Sequence, residues 1–438
     1  MKQNRKILFF VLNWLIYVGF VQNYIFDHEL LTLFPDLLIF YVAFRVSQKK
    51  SGARNSLNKY LGGALSFAIS FLFLFTVLGA VINLMPVLSY LWGLRMLLRY
   101  VLLVWVIYRC FEMKDVKKYK KYMYWAFDIN VVVCIFEFIA GIRGDWMSGT
   151  FSGNGVLMLH ALLVMMLATA DFFNGQMRAT RYGIYIACMF MIAILAEIKM
   201  MYFLFPLTFY GGYVMNKKFS IMHVVVLVLA FFFLIPAMQF VMRLYYGERY
   251  VTQTFDTEYL REETTHSYNF TEEGFNRGTA IDLTDQVILT DPIRKVFGWG
   301  LGSGSKSTRF GTKVFRMYGT TMFWNFSTSY CLVELGWVGF SLFALCFVLL
   351  MWRYYKVYSK YKDPFIKYWA GVGVVSVGAT FLLCWYNDNP YFKFLPMYFF
   401  WGVCFAAIEV RRRELDNKLT TGVYIIKNAE GISNNTGL

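Results

Sequence analysis

The sequence predicts an all-α polytopic membrane protein with about 12 transmembrane helices, cytoplasmic termini and one large extracytoplasmic loop. Two observations favour this fold class. Of the 438 residues, 58% are hydrophobic and only 16% are charged, whereas a soluble domain carries about 25% charged residues. The hydrophobic residues are also grouped into runs long enough to cross a bilayer.

Eleven hydrophobic runs have spanning length, and one of them is too long for a single crossing. The runs cover approximately 6–25, 30–46, 62–84, 87–111, 124–142, 155–172, 183–215, 220–243, 326–352, 366–386 and 391–409. As one helix, the run 183–215 would reach about 50 Å, well beyond a hydrocarbon core of about 30 Å. It also carries Glu197 and Lys199 near its middle.

The distribution of Lys and Arg indicates how this long run is arranged. If it crosses twice, all the basic segments face the cytoplasm, as the positive-inside rule requires. These segments are 45–60, 113–122, 178–182, 216–218, 353–367 and 411–413. If it crosses once, the last three lie outside. We therefore predict short crossings over 183–197 and 200–215, which meet near Glu197 and Lys199 on the outer side.

The same pattern divides the chain into four parts. Residues 1–243 hold nine transmembrane helices, 244–325 form the extracytoplasmic loop, 326–409 hold helices ten to twelve, and 410–438 form a cytoplasmic tail. The basic N-terminus leads into a long hydrophobic run without a small-residue cleavage pattern, so we expect a retained first helix. The net charge of +16 lies mainly in the inner loops, which argues against a nucleic-acid partner.

The cysteines predict neither disulfides nor a metal site. All seven lie in or beside hydrophobic runs, with no CxxC pair, so they are expected to act as small core residues. No His, Asp and Glu cluster has metal-ligand spacing. We expect no metal and no cofactor.

The segment DPIRKVFGWGLGSGSKS, residues 291–307, concentrates the signals for a binding site. Glycines stand at the alternate positions 298, 300, 302 and 304, behind Arg294 and Lys295. Glycine-rich loops beside basic residues often bind phosphate through backbone N–H groups. The segment lacks the P-loop pattern and is predicted to face outward, where nucleotides are scarce. A plain turn that returns the chain to the membrane is the alternative.

Several motifs follow one another in a characteristic order. Residues 277–279 read RGT, the glycine segment follows, and NFSTSYCLVELGWVGF covers 325–340. Upstream lie GTFSGNG at 149–155 and LAEIKMMYFL at 195–204. In order, sidedness and spacing this resembles the bacterial O-antigen ligase and polymerase superfamily, over roughly residues 125–410. These are membrane glycosyltransferases that use polyprenyl-pyrophosphate-linked oligosaccharides.

The resemblance implies polymerisation of lipid-linked repeat units into O-antigen, capsule or exopolysaccharide, outside the bacterial cytoplasmic (inner) membrane. Ligases of the superfamily usually carry a His at the start of the span before the E-x-G motif. Here Asn325 stands nine residues before Glu334, and no His occurs in 267–438, which favours a polymerase. The expected partners are polyprenyl-pyrophosphate-linked oligosaccharides and the lipid bilayer. A flippase and a chain-length regulator are candidate protein partners.

The resemblance also implies three catalytic candidates. Arg277 would hold the pyrophosphate, because a guanidinium binds phosphate oxygens bidentately; the alternative is a salt bridge to Asp282 or Asp285. Lys199 would add a second positive charge, or else pair with Glu197. Glu334, near the outer end of its span, would act as general base or as a hydrogen-bonded helix anchor.

Ten further residues are candidates for substrate binding. They are Arg294, Lys295, Gly298, Gly300, Gly302, Asn154, Asn325, Asp388, Arg95 and Arg99. Arg95 and Arg99 lie four residues apart, on one face of the fourth span. Their alternative role is structural pairing with a carboxylate, for which Glu137 and Asp128 in the fifth span are the candidates.

Three other classes of function remain open at the level of sequence. A ligase of the same superfamily would pass the glycan to another acceptor. A transporter or flippase with 12 spans usually shows two related halves, which this sequence does not. A non-catalytic component of a glycan assembly complex would tolerate loss of Arg277 or Lys199.

Overall fold

The structure, a computed structural model, describes residues 2–25, 30–48, 61–216, 275–305, 312–386 and 395–433, with scattered residues between 225 and 252. The described residues form helices and turns, with no strand among them. The long helices are α1 (Lys2–Tyr24), α2 (Leu30–Ser47), α3 (Gly63–Ile82), α4 (Val87–Cys110), α5 (Met113–Ile139), α6 (Asn154–Phe173), α7 (Ala179–Leu195) and α8 (Lys199–Asn216). After the short α9 (Pro292–Phe297) and α10 (Lys313–Tyr318) come α11 (Ser327–Lys360), α12 (Pro364–Tyr386) and α13 (Leu395–Ser433).

Seven helices of the described chain are long and apolar enough to cross a membrane: α1, α3, α4, α5, α6, α11 and α12. The chain is therefore an all-α protein with the character of a membrane protein. Helices α2, α7, α8 and α13 occupy four further predicted spans. The span expected over 220–243 is described only at scattered positions, so the count of 12 stays a prediction.

The long hydrophobic run 183–215 is broken into two helices. Helix α7 ends at Leu195 and α8 begins at Lys199. Ring contacts join Tyr182 to Phe209 at 6.4 Å and Phe190 to Phe205 at 5.2 Å. Because rising numbers on α7 meet falling numbers on α8, the two helices run antiparallel. The turn lies at the charged pair, where the sequence predicts it.

The two ends of the helix bundle differ in character. One end is here called the connection end, because it carries the described part of the connection between α8 and α11. At this end Tyr24 donates to Glu137 at 2.6 Å, and Asn83 donates to the carbonyl of Gly298 at 3.1 Å. The α7–α8 turn and residues 275–326 also lie at this end. The opposite end carries Lys- and Arg-rich segments, with ion pairs such as Arg411–Asp363 at 2.9 Å. The basic segments predicted to be cytoplasmic therefore share one end wherever they are described.

Helix α6 forms the centre of the bundle. Every side chain from Val156 to Asp171 is buried, and α6 packs against α7, α8 and α12. Helix α4 packs against α2 and α13, and α11 packs against α3 and α12. This continuous core fixes the positions of the helix ends at which the candidate residues lie.

A second, smaller core lies under the connection between α8 and α11. It joins Trp299, Leu301 and Phe323 of the connection to Leu72 of α3 and Leu97 of α4. Burial of such side chains contributes roughly 1.5–3 kcal/mol each. The described part of residues 275–326 is therefore a folded layer on the helix ends.

Candidate functional site

The glycine turn, residues 298–304, directs its backbone N–H groups into the protein. The amide of Trp299 donates to the carbonyl of Val333 at 2.8 Å, and that of Gly300 to the carbonyl of Glu334 at 3.0 Å. The amide of Gly298 donates to the carbonyl of Arg294 at 2.7 Å. These donors are engaged in the fold, which favours the turn interpretation over a cradle for phosphate.

The glycines are required by close backbone packing. Gly298, Gly300 and Gly302 have positive φ values of 65°, 91° and 90°, which side-chain-bearing residues rarely adopt. A Cβ on Gly302 would lie 2.1 Å from the carbonyl oxygen of Ser89 on α4. A Cβ on Gly298 would lie 2.6 Å from the amide nitrogen of Gly336, where α11 is kinked. The turn is thus packed between α4 and α11.

Substituting Gly302 with alanine is expected to destabilise the protein by at least about 2 kcal/mol, because positive φ and steric overlap both oppose a Cβ. The measurement is the midpoint of thermal unfolding in detergent. Gly183→Ala is the matched control, since Gly183 lies in α7 with nothing within 4 Å of its Cβ position. An equal midpoint for both variants would contradict the packing described here.

Glu334 is the anchor of the glycine turn. Its side chain is buried, and its Oε1 accepts from the amides of Gly302 at 2.9 Å and Gly304 at 3.2 Å. A buried carboxylate engaged by two backbone donors is poorly placed to take a proton from a substrate hydroxyl. This geometry favours the helix-anchor alternative for Glu334 over the general-base hypothesis.

Arg294 forms part of a compact basic and aromatic group. Asp291 caps α9 by accepting from the backbone amide of Arg294 at 2.9 Å, and it also pairs with the Arg294 side chain at 3.0 Å. The guanidinium carbon of Arg294 lies 3.4 Å from the ring centroid of Trp299. This stacking holds the charge at the edge of the turn.

Lys295 forms an ion pair with Asp285. Its Nζ donates to Asp285 Oδ2 at 2.6 Å, and Trp337 Nε1 donates to Asp285 Oδ1 at 2.7 Å. These two hydrogen bonds, first from Lys295 and then from Trp337, lower the pKa of the Asp285 carboxyl. Asp285 links the loop to α11, so Lys295 contributes to this link.

Among the described residues, Arg277 is held in place by the aromatic residue Tyr386. Its Nε donates to the carbonyl of Tyr386 at 3.4 Å, and its guanidinium carbon lies 4.3 Å from the Tyr386 ring centroid. Asp285, one alternative partner, is engaged by Lys295 and Trp337. Within the described part of the chain, no carboxylate forms an ion pair with Arg277. The guanidinium is therefore held in place with its charge uncompensated by those residues.

Lys199 and Asn154 lie at two neighbouring turns of the connection end. Lys199 is the first residue of α8, and its amide donates to the carbonyl of Glu197 at 2.9 Å. Glu197 adopts a left-handed conformation, with φ of 50°, and its carboxylate lies beside Gly144. Asn154, the first residue of α6, donates to Asp145 at 2.7 Å. Glu197 thus connects the turn at Lys199 to the segment before Asn154.

The last two substrate-binding candidates are Asn325 and Asp388. Asn325 ends a short 3-10 turn just before α11, with its amide donating to the carbonyl of Met322 at 3.0 Å. It is half-buried. Asp388 lies outside the described residues.

Arg95 and Arg99 pair with a carboxylate of α2, and not with Glu137 or Asp128 as the sequence suggests. Asp36 Oδ2 lies 2.5 Å from Arg95 Nη1 and 3.2 Å from Arg99 Nη1. Helix α2 packs on α4, which brings Asp36 to this face. Glu137 instead accepts from the amide of Gly149 at 2.9 Å, whereas Asp128 accepts from Tyr185 at 3.0 Å.

A polar cavity of about 570 Å³, which the sequence does not predict, lies beside the glycine turn. It is bordered by the α3–α4 turn, by Arg294 and Trp299, and by Lys313 and Arg316 of α10. The spacing of Lys313 and Arg316 would have indicated one helix face, but α10 has only six residues and gives no clear periodicity. No group of His, Cys, Asp and Glu that could hold a metal occurs among the described residues.

The site thus consists of separate neighbourhoods at one end of the bundle. Arg277 lies against Tyr386, Lys199 lies at the α7–α8 turn, and the polar cavity lies beside the glycine turn. No protein-family model matches the chain, and no curated protein matches it at a significant level. The function is therefore inferred from the chemistry of these residues and from the motif order.

Proposed function

We propose that the chain polymerises polyprenyl-pyrophosphate-linked oligosaccharide repeat units into a surface polysaccharide. The proposal places the reaction on the outer face of a bacterial cytoplasmic membrane, at the connection end. The single observation that carries it is Arg277, whose guanidinium is held on Tyr386 without a carboxylate among the described residues. An arginine in this state suits a phosphate group, which its fork binds through two parallel hydrogen bonds.

Sidedness supports the same location. The Lys- and Arg-rich segments lie at the opposite end of the bundle, where ion pairs such as Arg411–Asp363 and Lys120–Asp171 are formed. By the positive-inside rule that end faces the cytoplasm. Arg277 and the folded layer of residues 275–326 then face outward, where lipid-linked repeat units would be joined.

The chemistry explains why a cation is needed. The acceptor sugar hydroxyl forms a bond to the anomeric carbon of the donor while the bond from that carbon to the pyrophosphate oxygen breaks, and the hydroxyl proton passes to the departing pyrophosphate or to water. Polyprenyl pyrophosphate leaves with the bonding electrons. Arg277 stabilises the negative charge that grows on the leaving group. Lys199, at the α7–α8 turn of the same end, is proposed to supply a second positive charge.

The expected result is that Arg277→Ala shortens the surface polymer to single repeat units. Loss of one positioned donor to a developing charge typically costs about 10²–10³ in rate. The measurement is the polymer ladder on a gel from cells that lack the native gene and carry the variant. Arg243→Ala is the matched control, because Arg243 is exposed and pairs with Glu248 at 2.9 Å. Membrane levels of both proteins are compared by immunoblot.

The same experiment separates the alternatives. An unchanged ladder with Arg277→Ala at normal protein level would remove Arg277 from the mechanism. If the gene deletion leaves polymer length intact but removes the polymer from its final acceptor, a ligase is indicated. If the deletion traps repeat units on the inner face, transport is indicated.

A further inference from the structure

The cavity beside the glycine turn is positively charged. Its lining includes Arg294, Lys313 and Arg316, against one acidic residue, Asp291. Asp291 is paired with Arg294. Lys313 and Arg316 lie three residues apart on α10 and are exposed. No carboxylate of the described chain forms an ion pair with either side chain, so two positive charges border the cavity unneutralised by those residues.

The lining of this cavity also includes one buried hydroxyl group. Ser303 lines it and is 6% exposed, and its hydroxyl oxygen has no hydrogen-bond partner among the described residues. A buried hydroxyl without a partner is costly. Arg294 is held rigidly by its stacking on Trp299 at 3.4 Å. The cavity therefore combines a buried hydroxyl with one stacked arginine and two exposed cations, a combination that suits an anion with several oxygens.

The surroundings of the cavity are apolar and exposed. Leu84 and Ile293 line it and are exposed, and Val87 and Leu88 of α4 are exposed beside it. Exposed apolar side chains at the end of a membrane-spanning helix are suited to contact hydrocarbon. The cavity thus opens where a charged group and a hydrocarbon chain of one molecule would meet. The volume of about 570 Å³ falls within the range of roughly 300–1,000 Å³ typical of ligand sites.

We infer that this cavity binds the pyrophosphate of a lipid-linked substrate, at a position separate from Arg277. Arg277 contacts Tyr386 and is not part of the cavity lining. A polymerase joins two lipid-linked molecules, each with a pyrophosphate, so a second phosphate site would hold the second molecule. The inference rests on the proposed function for the identity of the lipid. Lys313 and Arg316 bind the phosphate oxygens, and the wall formed by Leu84 and Ile293 contacts the first part of the chain.

The test is binding of labelled geranylgeranyl pyrophosphate to the full chain in nanodiscs of neutral lipid. The assay is carried out in the Arg277→Ala background, so that the cavity and not Arg277 is measured. Lys313→Gln combined with Arg316→Gln is expected to weaken binding about 10- to 100-fold, since each lost charge-assisted contact costs roughly tenfold. Arg243→Gln is the matched control and is expected to bind as the parent does.

Competitors distinguish the sources of the phosphate. Inorganic pyrophosphate and phosphatidylglycerol are each expected to compete at least tenfold more weakly than unlabelled geranylgeranyl pyrophosphate. Equal competition by inorganic pyrophosphate would overturn the lipid-linked assignment in favour of a free-anion site. Equal competition by phosphatidylglycerol would overturn it in favour of a general headgroup site.

The double variant decides the inference independently of catalysis. Both side chains are exposed, so their replacement is expected to leave the fold and elution profile unchanged. Unchanged binding by the double variant would overturn the site, even if polymer synthesis depends on Arg277. Weakened binding together with no polymer synthesis by the wild-type protein would retain the site and remove the proposed function.

Discussion

Replacing Glu334 with alanine is expected to destabilise the connection end, whereas Glu334→Gln is expected to leave the protein folded. Alanine deprives the buried amides of Gly302 and Gly304 of their acceptor, which now lies at 2.9 and 3.2 Å. Each unsatisfied buried donor costs about 1–3 kcal/mol. Glutamine keeps a carbonyl oxygen at the same place. The measurement is the midpoint of thermal unfolding of each purified variant in detergent.

The same pair of variants separates the two roles considered for Glu334. A general base loses its function when it becomes an amide, and such a loss typically costs about 10²–10⁴ in rate. An anchor does not. We expect Glu334→Gln to retain polymer synthesis near the wild-type level. A folded but inactive Glu334→Gln variant would contradict the anchor role and restore the general-base hypothesis.

Asp36→Asn is expected to have the second large effect, a loss of about 3–5 kcal/mol of stability. Asp36 is 1% exposed and faces both Arg95 and Arg99. Its neutralisation removes the carboxylate charge that the two arginines share inside the bundle. The measurement is the yield of monodisperse protein and its unfolding midpoint. Asp128→Asn is the control, because exposed Asp128 accepts only from Tyr185 in the contacts described above.

A compensating variant checks the cause of this loss. When Asp36→Asn is combined with Arg95→Gln and Arg99→Gln, the uncompensated charges are removed together. Replacement of a whole buried ionic group is often close to neutral, unlike removal of one member. We expect much of the stability to return. A triple variant that is less stable than Asp36→Asn would show that the arginines contribute in another way.

The helices and their directions follow from sequence because they depend on local properties. Hydropathy marks the runs, and the distribution of Lys and Arg predicts the break at Glu197 and Lys199. The structure has that break between Leu195 and Lys199. Length and charge over about 30 consecutive residues are sufficient for such a prediction.

The contacts between distant segments do not follow from sequence. The glycine turn is held by Val333 and Glu334, more than 30 residues further along the chain, so the sequence shows its flexibility but not its partners. The acid that meets Arg95 and Arg99 depends on how α2 packs on α4. Asp36, Glu137 and Asp128 are all acids in predicted spans, and only the packing selects Asp36.

The basic residues of the cavity illustrate the same limit. Lys313 and Arg316 look like ordinary loop cations in the sequence, since six-residue α10 has too few turns to reveal a face. Their place in a candidate binding site is evident only in the structure, where they line the same cavity as the α3–α4 turn. The motif order points to Arg277, and the structure adds the contact with Tyr386 that holds it.

The most direct test of the central claim is polymer synthesis by the purified protein in liposomes that contain a polyprenyl-pyrophosphate-linked repeat unit. Product length is measured by gel and mass spectrometry for the wild type and for Arg277→Ala. We expect a ladder of repeat units from the wild type, released polyprenyl pyrophosphate in matching amount, and single units from the variant. Single repeat units from folded wild-type protein would contradict the proposal, and equal ladders from both would contradict the role of Arg277.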